Sequence, residues 1–125
     1  MQPKKILVVD DEEHIREIAA VTLELTQQWL IWTAASGAEA LRLAPQVKPD
    51  AILLDVMMPE MDGPTTFRHL QDDPSTKDIP VIFLTAKVQA ADKRRFADLG
   101  VQTMIAKPFD PLRLGAEVAV ALAWA

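Results

Sequence analysis

Five short apolar runs recur along the chain, separated by longer stretches of helical periodicity, and this alternation constrains the fold more than any other feature. The runs are Ile6 to Val9, Trp29 to Ala34, Ala51 to Leu54, Pro80 to Leu84 and Val101 to Ala106. Ile6-Leu7-Val8-Val9 carries no polar residue at all, so it reads as a strand buried on both faces. Such strands belong in parallel sheets, whose neighbours are joined by crossovers of about a dozen residues or more. The helical stretches supply those crossovers. The expected fold class is therefore α/β: a doubly wound, five-stranded parallel sheet with about five helices.

Local signals place the helices. From Glu13 onward, Ile15, Ile18, Thr22 and Leu25 recur at spacings of three and four, which predicts an amphipathic helix with that stripe as its apolar face. Ala38, Leu41 and Ala44 mark a second helix, which Pro45 is expected to end early or kink. Asp62-Gly63-Pro64 supplies turn chemistry, with Pro64 at a first helical position ahead of Phe67 and Leu70. Asp72 to Asp78 reads as a polar loop. Phe96 and Leu99 lie on the apolar side of another helix, stopped by Gly100 at a C-cap position. Asp110-Pro111 opens a last helix carrying Leu112, Val118 and Leu122.

Composition removes several classes of function. A length of 125 residues suits one compact domain, with no room for a separate output domain. Thirteen Lys plus Arg against eighteen Asp plus Glu give a formal charge of −5, which offers no support to direct nucleic-acid binding. The absence of cysteine excludes disulfides, thiolate-held metals and thiol nucleophiles. The first apolar run is too short for a signal peptide, and no stretch approaches the ~20 residues of a membrane span. A cytoplasmic domain is expected.

The polar residues inside this pattern fall at strand ends. Asp10 and Asp11 follow the first strand, Asp55 ends the third, Thr85 ends the fourth and Lys107 follows the fifth. A parallel sheet puts these ends on one edge, where ligands bind at the topological switch point. Taken singly, each has an ordinary explanation, such as capping the next helix. Together they form a cleft of three carboxylates, a hydroxyl and an amine. Converging carboxylates repel and call for a cation, and oxygen donors alone suit Mg²⁺ or Mn²⁺. A metal, a lysine and a hydroxyl around one carboxylate suit phosphoryl transfer. Asp55, the single carboxylate of its strand end, is the expected nucleophile, and the Asp10-Asp11 pair suits metal.

The chain closely resembles the receiver domains of two-component response regulators, chemotaxis-regulator-like and built as a single domain over residues 1–125. The matching pieces are Ile6-Leu7-Val8-Val9-Asp10-Asp11-Glu12, Leu53-Leu54-Asp55 through Met61-Asp62-Gly63, Pro80 to Ala86, and Lys107-Pro108-Phe109. The resemblance implies a flavodoxin-like strand order of 2-1-3-4-5. It implies that Asp55 is the phosphoacceptor for a histidine kinase or histidine phosphotransfer protein. Asp10, Asp11, Asp55 and the backbone carbonyl of Met57 would hold Mg²⁺, Asp10 mainly through water. Thr85 would be the switch hydroxyl, Lys107 would contact the phosphoryl group, and the Lys107–Pro108 peptide would be cis. A receiver of this kind is not a turnover enzyme beyond phosphorylating and dephosphorylating itself.

Three departures from the family pattern stand out. Met104 takes the place where receivers usually carry Tyr or Phe; it serves either as core packing or as a modified switch. Met57 and Lys87 flank the approach of water to the phosphoryl group, and an apolar Met57 predicts a long-lived phosphoryl state. The uncharged run from Val118 to Ala125 predicts an apolar surface for a kinase, a downstream target or a second copy, with Trp124 as anchor. Trp29 and Trp32 read as edge packing, His14 and His69 as surface residues, and Lys93-Arg94-Arg95 as a solvated face. Two alternatives compete. A haloacid dehalogenase-type phosphatase would need an acid at position 57, and a receiver cut from a longer regulator would read identically.

Overall fold

In the computed structural model, residues 2–86 and 90–124 are described. The strands are β1 (Lys5–Val9), β2 (Leu30–Ala34), β3 (Ala51–Asp55), β4 (Val81–Thr85) and β5 (Thr103–Ala106). The helices are α1 (Glu13–Gln27), α2 (Gly37–Val47), α3 (Gly63–Asp72), α4 (Ala90–Leu99) and α5 (Pro111–Ala121). All strand pairs are parallel, in the order β2-β1-β3-β4-β5. This is the doubly wound architecture that the apolar runs predict, with the strand order that the resemblance implies. Among the described residues, no helix is long and apolar enough to cross a membrane.

Alternate residues of each strand feed two separate cores. Leu7, Val9, Ile52, Leu54 and Phe83 meet Ala40, Ala44, Phe67, Leu70 and Phe96 on the side of α2, α3 and α4. Ile6, Val8, Leu53, Ile82 and Leu84 meet Ala19, Leu23, Leu114 and Val118 on the side of α1 and α5. Every residue of β3 and β4 is buried, as strands covered on both faces must be.

Three sequence readings are corrected. In α1 the buried positions are Ala19 and Leu23, whereas Ile18 is 43% and Leu25 75% exposed. The helix carries apolar residues around much of its circumference, so periodicity alone does not choose the inward face. Pro45 does not end α2 early, because it falls in the last turn, and the helix runs on to Val47. There the missing N–H removes a single bond, and the N–H of Lys48 closes the helix on the Ala44 carbonyl. The Asp72–Asp78 segment, read as a polar loop, begins on the last residue of α3 and holds the buried Thr76, whose hydroxyl donates to the Leu70 carbonyl at 2.7 Å.

The last helix also departs from expectation. α5 stops at Ala121, and Ala123 takes a left-handed conformation that turns the chain back. Trp124 then packs edge-on against Trp29, with ring centroids 5.2 Å apart, under the Lys4 ammonium. Its indole is engaged within the fold, so it is not a free anchor; Val120, 81% exposed, carries the open apolar surface of α5 instead. Trp29 and Trp32 pack at the sheet edge, and His14, His69 and Lys93-Arg94-Arg95 are exposed, all as read from the sequence. Gly100, at φ 103°, ends α4 as predicted. The Lys107–Pro108 peptide is cis.

Candidate functional site

The carboxyl ends of the strands bring the scattered polar residues together. Asp10 follows β1, and its N–H donates to the Ala34 carbonyl at 3.1 Å, extending the ladder with β2 by one step. Asp55 is the last residue of β3 and lies opposite Leu84. Thr85 ends β4, and its carbonyl accepts the N–H of Lys107 at 2.9 Å. Asp10, Asp55 and Thr85 are all almost fully buried, whereas Asp11 is exposed. The edge therefore opens to solvent on the side of Asp11.

Among the described residues, Lys107 is the cation paired with these carboxylates. Its Nζ lies 3.0 Å from Asp10 Oδ2 and 3.4 Å from Asp55 Oδ1. Backbone donors take part of the remaining demand: the Glu12 N–H reaches Asp10 Oδ1 at 2.9 Å, and the Met57 N–H reaches Asp55 Oδ1 at 3.4 Å. One ammonium facing two buried carboxylates leaves an excess of negative charge. Burial, and then the neighbouring Asp10, push the Asp55 carboxyl up to about 6, against the opposing pull of Lys107 and the Met57 N–H. Burial lowers the Lys107 amine, but its hydrogen bond and attraction to Asp10, with those to Asp55, more than offset this and hold it above its ordinary value.

The donor set fits a small hard cation. Carboxylate oxygens of Asp10, Asp11 and Asp55 all lie within 4.8 Å of one another. Three carboxylates gathered at one point are the donors by which a small divalent ion would be held. All donors are oxygen, and the excess negative charge is of the sign that a divalent ion would offset.

Two residues that shape the site escaped the sequence reading. Gly63 opens α3 against the end of β3, where an added Cβ would lie 2.6 Å from the Asp55 carbonyl oxygen and 2.8 Å from Val56 Cα. The sequence signalled it only as part of a turn; its true constraint is the close approach of two backbones. Arg16, at the end of the first turn of α1, donates from its guanidinium to the Asp10 carbonyl at 2.8 Å. A basic residue shortly after an Asp pair was the available signal. Met57 lies two residues beyond Asp55 with its side chain 62% exposed, and Lys87 falls outside the described residues.

Comparison with known proteins agrees with this geometry. Residues 6–119 match the family model of the response regulator receiver domain. The chain is 43% identical over 116 residues to the response regulator PleD of Caulobacter vibrioides, covering 91% of this chain and 25% of that protein. It is 42% identical over 115 residues to the alkaline phosphatase synthesis transcriptional regulatory protein PhoP of Bacillus subtilis, covering 92% and 47% respectively. The chain thus spans between a quarter and about half the length of these relatives. Among solved structures it is similar to the chemotaxis protein CheY4 of Vibrio cholerae, with a TM-score of 0.89, 30% identity and coverage of 96% and 99%. It is also similar to the N-terminal domain of a response regulator receiver protein from Methanoculleus marisnigri, with a TM-score of 0.79, 35% identity and 98% coverage of both chains. The chain belongs to the response regulator receiver domain family.

Proposed function

We propose that this chain accepts a phosphoryl group on Asp55 from a histidine kinase or histidine phosphotransfer protein, and signals through altered protein–protein contacts. The observation that carries this reading is a buried carboxylate, Asp55, held 3.4 Å from the Lys107 ammonium beside two further acids. An Asp55 carboxylate oxygen attacks the phosphorus of the donor phosphohistidine. A P–O bond forms, the P–N bond breaks, and the imidazole nitrogen recovers the electron pair, leaving an aspartyl phosphate. Lys107 shifts from carboxylate to phosphoryl oxygen and neutralises charge there. Asp10, Asp11, Asp55 and the Met57 carbonyl would hold Mg²⁺, which supplies charge neutralisation for the transferring group. The Thr85 hydroxyl, at the neighbouring strand end, is the group that answers to the new phosphoryl oxygen.

In this reading the domain works in the cytoplasm, alone or as the receiver part of a longer regulator, and performs no turnover beyond its own phosphorylation and dephosphorylation. A phosphatase of the haloacid dehalogenase type is disfavoured because position 57 is an exposed methionine, which carries no proton to exchange. Met104 lies opposite Phe83 and packs, partly buried, against the core that holds Phe83 and Phe96. That position supports the core-packing reading of Met104 over a modified switch. The outward side of α5, around Val120, is the surface through which a downstream protein or a second copy would read the state.

The test uses a small acyl-phosphate donor, with and without Mg²⁺, read by intact mass. A Mg²⁺-dependent phosphoryl adduct is expected in the wild type and none in Asp55→Asn. An adduct that persists in Asp55→Asn, or rapid release of phosphate from unrelated phosphomonoesters, contradicts the reading. Met57→Asn is expected to shorten the adduct's lifetime severalfold, since an amide can orient an attacking water and a thioether cannot; an unchanged decay rate counts against that role.

A further inference from the structure

The geometry points to Arg16 as a positioning residue for the metal-binding carboxylates, an inference that rests on the phosphoacceptor reading and deepens it. Arg16 is half-buried on α1, and its guanidinium donates to the backbone carbonyl of Asp10 at 2.8 Å. Every other polar group of Asp10 has a role elsewhere. Its N–H continues the sheet to Ala34, its Oδ1 accepts from the Glu12 N–H, and its Oδ2 faces Lys107.

Capping explains why the segment needs a clamp. α2, α3 and α5 are capped at their N-termini by Ser36, Asp62 and Asp110, whose side chains each accept a first-turn N–H. The cap of α1 is Glu12, whose side chain makes no such bond. In its place, the Asp10 carboxylate itself takes the Glu12 N–H. When that carboxylate turns to a cation, the bond that steadies the start of α1 weakens. The Arg16 bond to the Asp10 carbonyl uses neither carboxylate oxygen, so it persists. Arg16 thus ties the helix to residues 10–12 in both states and keeps Asp10 and Asp11 directed at the same point.

A charge argument predicts the opposite effect of substitution, which makes the test decisive. Arg16 is a cation near a cation site, so removing it for electrostatic reasons alone would tighten Mg²⁺ binding. Removing a positioning group loosens it. In Arg16→Met, titration calorimetry with Mg²⁺ is expected to show roughly tenfold weaker binding than wild type. Hydrogen exchange without metal is expected to show a faster Glu12 amide in the same variant. Equal or tighter Mg²⁺ binding, or an unchanged Glu12 amide, overturns the proposal. Should Arg16→Met fold poorly, Arg16→Lys serves instead, because it keeps the charge but offers a point donor on a flexible stem. It is expected to lose less affinity and still quicken Glu12 exchange, and wild-type values of both overturn the proposal. A wild type that binds no Mg²⁺ would overturn the metal reading itself, and the exchange measurement would then decide whether Arg16 clamps the segment.

Discussion

At the carboxyl ends of the strands Lys107 sits against two buried carboxylates, whereas at the amino ends Lys4 lies over the ring of Trp124, which packs on Trp29. Both ends use a lysine, but with opposite energetic consequences. Around Lys107 negative charge is in excess and dehydrated, so the arrangement is costly until something positive arrives. Around Lys4 the partner is a neutral aromatic face, and the arrangement is complete as it stands. The contrast teaches that burial in this fold serves readiness at one edge and closure at the other.

The largest effect expected from breaking this contrast is on Asp55. Its carboxyl is raised from 3.8 to about 6, so the fold favours the protonated form. At pH 4 the folded and unfolded chains both hold much of that proton and little is lost. As the pH climbs to about 6 and beyond, the unfolded chain releases the proton more readily, and stability falls by an amount approaching about 3 kcal/mol. Asp55→Asn removes the charge, so without divalent ions it is expected to be more stable than wild type by up to that amount at pH 7.5. The difference should shrink towards pH 4 and, in the wild type, on adding Mg²⁺. Urea denaturation in the two buffers measures it, and a variant less stable than wild type at pH 7.5 would refute the claim of readiness.

At the opposite edge the sign reverses. Trp124→Ala removes the edge-on contact and uncovers Trp29, with an expected loss of about 2 kcal/mol at either pH and no change in adduct formation. A pH-dependent loss would show that the two edges are coupled. The smallest effect belongs to Lys4→Ala, where a half-exposed cation–π contact is worth about 0.5 kcal/mol. Loss of far more than this would mean that Lys4 organises the edge rather than covering it.

Much of this was legible beforehand, for identifiable reasons. Doubly buried strands leave uninterrupted runs such as Ile6 to Val9, and strand-end polar residues leave abrupt breaks such as Leu54-Asp55, so both the sheet and the cleft were readable. The face of α1 was not, because Ile15, Ile18, Val21, Leu23 and Leu25 spread around the helix and only the docked neighbours decide which are covered. Trp124 was misread as an outward anchor because the left-handed Ala123 that folds it back has no glycine to announce it. Gly63 and Arg16 act through backbone atoms of Asp55 and Asp10, and contacts of that kind leave no pattern in residue types.

The division of the strands between two cores also governs how such a sequence can change length. Ile52 and Leu54 belong to one core and Leu53 to the other, with Asp55 next in line. Inserting or deleting one residue in Ala51–Leu54 would exchange the two sets and turn the acceptor carboxylate to the wrong face. Exposed connections between the elements face no such rule. Descendants of this chain are therefore free to drift in loop length while the five-residue spacing of β3 stays fixed, a ruler that sets where the acid stands.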